Sequence, residues 1–159
     1  MKMSIIESKL EKLGYQLPTA KPPLFSYVPI VQYENLLFIS GQLPRVDGTL
    51  KWKGKVGKDF TIEQAQEISR ICIINSLSQI KQFTNNLDVI EKVVQLRGFV
   101  NSYSRFNQQP RVIDGASNLL EKLLGEKGKH SRTAIGVSEL PQDSPVEIEL
   151  IVQIKESGD

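Results

Sequence analysis

The apolar residues of the chain fall into blocks with two different periods. Met1 to Gly14 places Ile5, Ile6, Leu10 and Leu13 on one side of a short amphipathic helix. Residues 15–23, YQLPTAKPP, carry three of the eight prolines and read as a linker. Phe25 to Tyr33 and Leu36 to Ile39 are apolar stretches joined by Glu34-Asn35. They form a hairpin pattern in which Pro29 signals an edge or an interruption of the first strand. Asp47-Gly48 marks a second turn, and Thr49 to Val56 alternates as a ribbon would.

The helical period then takes over. Thr61-Ile62-Glu63-Gln64 is a capping-box pattern. Ile62, Ala65, Ile68, Cys72, Ile73, Leu77 and Ile80 follow as a wide stripe, predicting a heavily buried helix to about Phe83 that ends at Asn85-Asn86. Val93 to Val100 reads as a strand with Val94, Leu96 and Val100 on one side. Pro110 opens a second long helix with Val112, Ala116, Leu119, Leu120 and Leu123 at helical spacing, stopped by Gly125 and Gly128. Arg132 to Ser138 and Val146 to Ile154 supply two last strands around the proline-bracketed turn 140–145.

Strands mixed with two long helices predict an α+β fold of two layers, a mixed sheet with both helices on one face and an extra N-terminal helix. The expected organisation is an N-terminal helix and linker over residues 1–23 and one domain over 24–156. In the last strand Val146, Ile148, Leu150, Val152 and Ile154 can face the helices. The other side carries Ile151 with Glu147, Glu149 and Gln153, so the bare face calls for water or another subunit.

Composition narrows the chemistry. At 159 residues one domain is the natural unit. Cys72 and His130 stand alone in their types, which excludes an intramolecular disulfide and a His/Cys metal cage within one chain. No metal or cofactor is expected. The formal charge of +2 is too mild to indicate nucleic acid. The cluster Lys51, Lys53, Lys55, Lys58 around Trp52 reads better as a solvated, edge-protecting ribbon than as a phosphate surface. No targeting signal or membrane-length apolar run is visible, so the expected location is cytoplasmic.

Two polar groups stand out by context. Arg132 opens a strand in which Ala134 and Gly136 share its face, leaving space beside a guanidinium able to receive a carboxylate or phosphate. A structural ion pair to Glu147 or Glu149 is the competing reading. Glu147 and Glu149, at i and i+2, can hold water or move protons, or simply face solvent or a subunit. A simple hairpin about 141–145 would set Glu147 opposite roughly Glu139, far from Arg132, so a shared site needs another register or a neighbouring chain. Gly41 after Ser40 lets a ligand approach the main chain or serves backbone geometry. Tyr27 covers a ligand or packs, His130 reads as an exposed loop residue, and Cys72 as core filling.

SGQLP at 40–44, RTAIGVSELP at 132–141 and VEIELIVQI at 146–154 together resemble the Rid family, the RidA/YjgF group also labelled L-PSP endoribonuclease or translation inhibitor. The resemblance covers about residues 25–155. VGKDFTIEQA, ICIIN, and VIDGAS before GEKGKHSRTA resemble a longer branch of that family. It implies a chorismate-mutase-like fold, a homotrimer with clefts between subunits, and hydrolysis of reactive enamines and imines to 2-keto acids and ammonia without a cofactor. Arg132 would grip the substrate carboxylate and Glu147 would orient water, with Tyr27, Ser40, Gly41, Asp114, Thr133 and Ala134 lining the site. Asp114 stands where archetypal members carry asparagine, and Ala134 where they often carry cysteine. A non-catalytic trimer binding small carboxylates is the alternative, and ribonuclease activity follows only from the older label. The partners expected are a small carboxylate and further copies of the chain, without nucleic acid or membrane.

Overall fold

The computed structural model describes residues 2–157; Met1, expected to start the N-terminal helix, lies outside them. The helices are α1 (Ile5–Lys12), α2 (Ile62–Thr84) and α3 (Gln109–Leu124). The strands are β1 (Ile30–Tyr33), β2 (Leu36–Gln42), β3 (Arg45–Val46), β4 (Thr49–Leu50), β5 (Ile90–Asn101), β6 (Ser131–Val137) and β7 (Val146–Ile154). Five of the strands form one mixed sheet in the order β1-β2-β7-β5-β6, with β5 and β6 parallel and the other neighbours antiparallel. The architecture is the expected α+β one.

The long helices form where their caps and stripes place them. Thr61 accepts from the Gln64 N–H while the Gln64 side chain accepts from the Thr61 N–H, and Asn85 closes α2 in the left-handed conformation. Ala65, Ile68, Cys72, Ile73, Leu77 and Ile80 are all buried, as are Val112, Ala116, Leu119, Leu120 and Leu123 of α3. Both helices cover one face of the sheet, α2 packing against β7, whose Val146, Ile148, Leu150 and Val152 are buried there, and α3 against β5 and β6. They approach closely at Gly115, where a Cβ would lie 2.5 Å from the Gln66 carbonyl oxygen.

The structure departs from the periodic reading at several places. The first strand begins only at Ile30, because Pro29 has no N–H for the ladder. The ribbon ends at Leu50; beyond it the Gly54 N–H donates to the Asp143 carbonyl and the Val56 N–H to Asn101, drawing the chain away from β3. In α1 only Ile6 and Leu10 enter the core, while Ile5 and Leu13 stay exposed. In β5 a register shift between Val93 and Gln95 turns Val93 inward and leaves Val94 exposed. The expected pairing of the last two strands is also corrected. β5 lies between β6 and β7, with Leu96 facing Arg132 on one side and Leu150 on the other.

Candidate functional site

The sheet topology sorts the expected site residues into two groups. Leu96, Arg132 and Leu150 are in register, and Leu96 and Leu150 are buried under the helices, so Arg132 points to the helix side. Glu147 pairs with Phe99, Phe99 pairs with Ile135, and all three lie on the uncovered face. Within one chain Arg132 and Glu147 are separated by two strand spacings, about 10 Å, and about as much again along the strands. The single chain does not bring them together.

The first group lines a cavity of about 540 Å³ at the end of the sheet. Tyr27, Gly41 and Glu147 line it, together with Arg45, Asn75, Gln142 and the linker from Pro18 to Phe25. The linker is fastened along α2: the Ser78 hydroxyl donates to the Pro18 carbonyl at 2.8 Å and the Gln79 amide to Lys21 at 2.9 Å. Ser40 stands just outside the lining. Its hydroxyl donates to the Val28 carbonyl at 2.8 Å and its N–H to Pro29 at 2.9 Å, which ties the Tyr27 segment to β2. At Gly41 a Cβ would meet Glu147 Oε1 at 2.4 Å, so the missing side chain makes the room in which the carboxylate lies. Burial first, and then the nearby Glu149 carboxylate, push the Glu147 carboxyl above its ordinary value, with no hydrogen bond from the described residues pulling it down. A carboxyl in this state is a better base when ionised than one in water.

Arg45 places a cation on this rim, its Nη2 donating to Gln142 Oε1 at 2.8 Å. Asn75 of α2 donates to the Leu43 and Arg45 carbonyls at 2.9 and 3.0 Å and fixes the turn that carries Arg45. Sequence reasoning missed these residues. Their neighbourhood is created by the linker folding back, for which no local pattern exists.

The second group sits at the outer edge of the sheet. Arg132 Nη1 donates to Asp114 Oδ1 at 2.8 Å and to Ser117 Oγ at 3.2 Å, both on α3. The competing reading, an ion pair to Glu147 or Glu149, is not what forms; Glu149 instead pairs with Arg97 across the β5–β7 ladder. Arg132 is about one quarter exposed and Asp114 about half, so the pair opens to solvent (side-chain exposure 24% and 49%). Ala134 lies two residues along, partly buried against the core, whereas Thr133 is exposed on the opposite face beside Arg97. The space expected at Gly136 is not open. Gln109 fills it, Nε2 standing 2.6 Å from where a Cβ would be and donating to the Phe106 carbonyl.

His130 also belongs here, against the expectation of an exposed loop. It is partly buried, with Nε2 2.9 Å from Ser117 Oγ and Nδ1 2.6 Å from the Gly128 carbonyl oxygen. One signal for this cluster was available: Asp114 and Ser117 stand at i and i+3 on one face of α3. Among the described residues no group of three His, Cys, Asp or Glu side chains is arranged to hold a metal ion.

Comparison with known proteins identifies the family and the fold. A family model described as "YjgF/chorismate mutase-like, putative endoribonuclease" matches residues 7–154. Protein TCP17 of Trypanosoma cruzi is 36% identical over 150 residues, covering 94% of each chain. A crystal structure of an Agrobacterium tumefaciens protein of unknown function is 43% identical and superposes with a TM-score of 0.89 over 95% of this chain and 93% of that one. A Shewanella oneidensis structure described as a "putative endoribonuclease" is 31% identical, with a TM-score of 0.90 over 94% of this chain and 99% of that one. A match over nearly the whole sequence and a shared sheet-and-helix layout lead to one conclusion: this chain belongs to the YjgF/chorismate mutase-like family, the Rid family that its sequence resembles.

Proposed function

We propose that the protein hydrolyses reactive enamines and imines to 2-keto acids and ammonia, in sites built between the subunits of a homotrimer. The observation that carries this reading is Glu147: a partly buried, proton-avid carboxylate beside Gly41 on a cavity wall, with no hydrogen bond from the described residues to hold it. Arg132 offers the complementary group. Asp114 and Ser117 engage its Nη1, which leaves the Nε and Nη2 donors for a substrate carboxylate. Because the two groups lie apart and on opposite faces in one chain, a neighbouring subunit has to complete each site. The uncovered sheet face, with Val31, Phe38 and Ile135 exposed, gives such a neighbour an apolar surface.

The chemistry asks little of the protein. The Arg132 guanidinium fixes the carboxylate and hence the adjacent imine carbon. Glu147 of the neighbouring copy takes a proton from water as the oxygen attacks that carbon. The tetrahedral adduct then loses ammonia and leaves the keto acid. Asp114 offsets the charge of Arg132, which tunes the site away from strongly anionic ligands and towards substrates with one carboxylate.

Release of keto acid from enzymatically generated 2-aminoacrylate, and from a panel of larger imines, tests the reading. Acceleration by the parent and its loss in Arg132→Ala are expected. Binding of small carboxylates without acceleration of any imine would instead make the protein a binding trimer. RNA cleavage that survives Arg132→Ala, in a parent without deaminase activity, would support the ribonuclease name of its relatives.

A further inference from the structure

The cavity beside Glu147 is larger than the reacting atoms require. Its volume of about 540 Å³ falls in the range of roughly 300–1,000 Å³ that houses a drug-sized ligand, whereas a three-carbon imino acid has only a handful of atoms. The remaining space belongs to a substrate side chain, and the polar groups around it determine its kind.

Those groups form a donor set and an acceptor set. Arg45 gives an Nη2 hydrogen to Gln142 Oε1, while its Nε and Nη1 meet no acceptor among the described residues. The amide hydrogens of Gln142 are uncommitted in the same way, and its backbone is turned into the left-handed region at φ 57°. The acceptors come from α2, where Asn75 and Gln79 lie one turn apart on one face. Asn75 donates to the Leu43 and Arg45 carbonyls, and Gln79 donates to the Lys21 carbonyl. These bonds fix which end of each amide is nitrogen. Asn75 Oδ1 and Gln79 Oε1 are therefore acceptors, without a donor among the described residues and not sealed from solvent. Gln79 is only 9% exposed, and all four residues line the cavity. Formal charge balances as well, Lys21 and Arg45 standing against Asp47 and Glu147.

We propose that this cavity is a subsite for a neutral carboxamide side chain, making the substrate an imino acid of the glutamine type; the assignment rests on the deaminase reading above. The amide oxygen accepts from Arg45 and Gln142, and the amide N–H2 donates to Asn75 and Gln79. Arg132 of one copy holds the α-carboxylate beside Glu147 of the next, and the side chain runs from there along the cavity. Gly41, beside Glu147, and Arg45 are four residues apart, so their Cα atoms are separated by at most about 14 Å. A substrate side chain and the arginine together bridge that span. A carboxylate in place of the amide has no hydrogen for the two amide oxygens and adds charge beside Asp47. A thioether of the same length leaves donors and acceptors unpaired.

The experiment uses three imines of matched length, generated by amino-acid oxidases from glutamine, methionine and glutamate. Hydrolysis is read as the fall in imine left for semicarbazide to trap. The parent should favour the glutamine imine over the other two by roughly 10- to 100-fold in kcat/KM. In Arg45→Met the ratio of glutamine to methionine imine should drop to near one. Arg45→Lys, which keeps the charge without the planar fork, should lower it too and serves if Arg45→Met does not fold. Equal hydrolysis of the three imines by the parent, a preference for either of the other two, or an unchanged ratio in both variants overturns the subsite and leaves the deaminase reading intact. A parent that turns over none of them overturns the deaminase reading itself. Calorimetric titration with the three amino acids then decides the subsite: tighter binding of glutamine that Arg45→Met abolishes supports it, and equal binding overturns it.

Discussion

A Cβ at Gly41 would come within 2.4 Å of Glu147 Oε1, and the Gly41 backbone lies outside the left-handed region that only glycine favours. Gly41→Ala is therefore tolerated by the backbone and has to be accommodated by moving the carboxylate. A displacement of this size in a catalytic group costs about 10²-fold in rate. The expected outcome is a parent-like melting temperature with kcat for imine hydrolysis reduced on that scale, read by thermal denaturation and the keto-acid assay. The raised pKa of the Glu147 carboxyl also bears on stability. Its folded value lies above the unfolded one, so its favourable contribution is complete below the ordinary carboxyl range and is lost as pH rises through the folded value. Glu147→Gln removes the penalty. The variant should melt higher than the parent near neutral pH, with the difference vanishing on acidification below the ordinary carboxyl range, while hydrolysis is lost. Parallel melting curves across pH, with no convergence, would count against a desolvated carboxylate at this position.

At the scale of elements, sequence legibility followed the locality of the forces. α2 and α3 were readable because cap, stripe and stop are all written within the segment that folds. Thr61 and Gln64 satisfy one another, and the buried residues recur at one spacing. β6 and β7 were readable as strands, but their pairing was not, because β5 enters between them from some thirty residues upstream through a parallel contact. Val93 and Val94 show a finer limit: alternation identified the strand, and a bulge reversed which valine faces inward. The site suffered more than the fold. Tyr27, Gly41 and Glu147 line one cavity and Arg132 lies away from it, and the cavity wall from Pro18 to Phe25 and the His130–Ser117 contact depend on segments meeting in space, which no local motif writes. The close crossing of α2 and α3 yields a prediction at this scale. At Gly115 the obstructing atoms are the Gln66 backbone, its carbonyl oxygen 2.5 Å from the Cβ position, and the Ser69 hydroxyl oxygen at 2.6 Å. Gly115→Ala should destabilise the fold by roughly 1–3 kcal/mol by overpacking, despite the better helix propensity of alanine, as read from denaturant unfolding. A gain in stability would show that the helices separate readily.

The whole molecule poses a different constraint. A sheet with helices on only one side leaves β1, β2, β7, β5 and β6 with an outer face on which Val31, Phe38 and Ile135 are exposed beside Glu147, Glu149 and Arg97. The two halves of the proposed site are also divided between that face and the opposite one. A closed ring of copies would resolve both at once, since a heterologous contact presents different surfaces of two subunits to one another. This arrangement can be tested without seeing the interface. Arg132→Ala and Glu147→Gln should each be inactive alone. Unfolded together and refolded, they should regain activity, because a site that takes arginine from one copy and glutamate from the next is intact in about a quarter of randomly assembled interfaces. Each variant refolded separately and then mixed briefly should stay inactive if subunit exchange is slow. If both residues served one site within the same chain, no mixture would restore turnover, since every chain would carry a broken site. Recovery therefore locates the chemistry between subunits, and its size reports how many interfaces carry one intact residue from each copy.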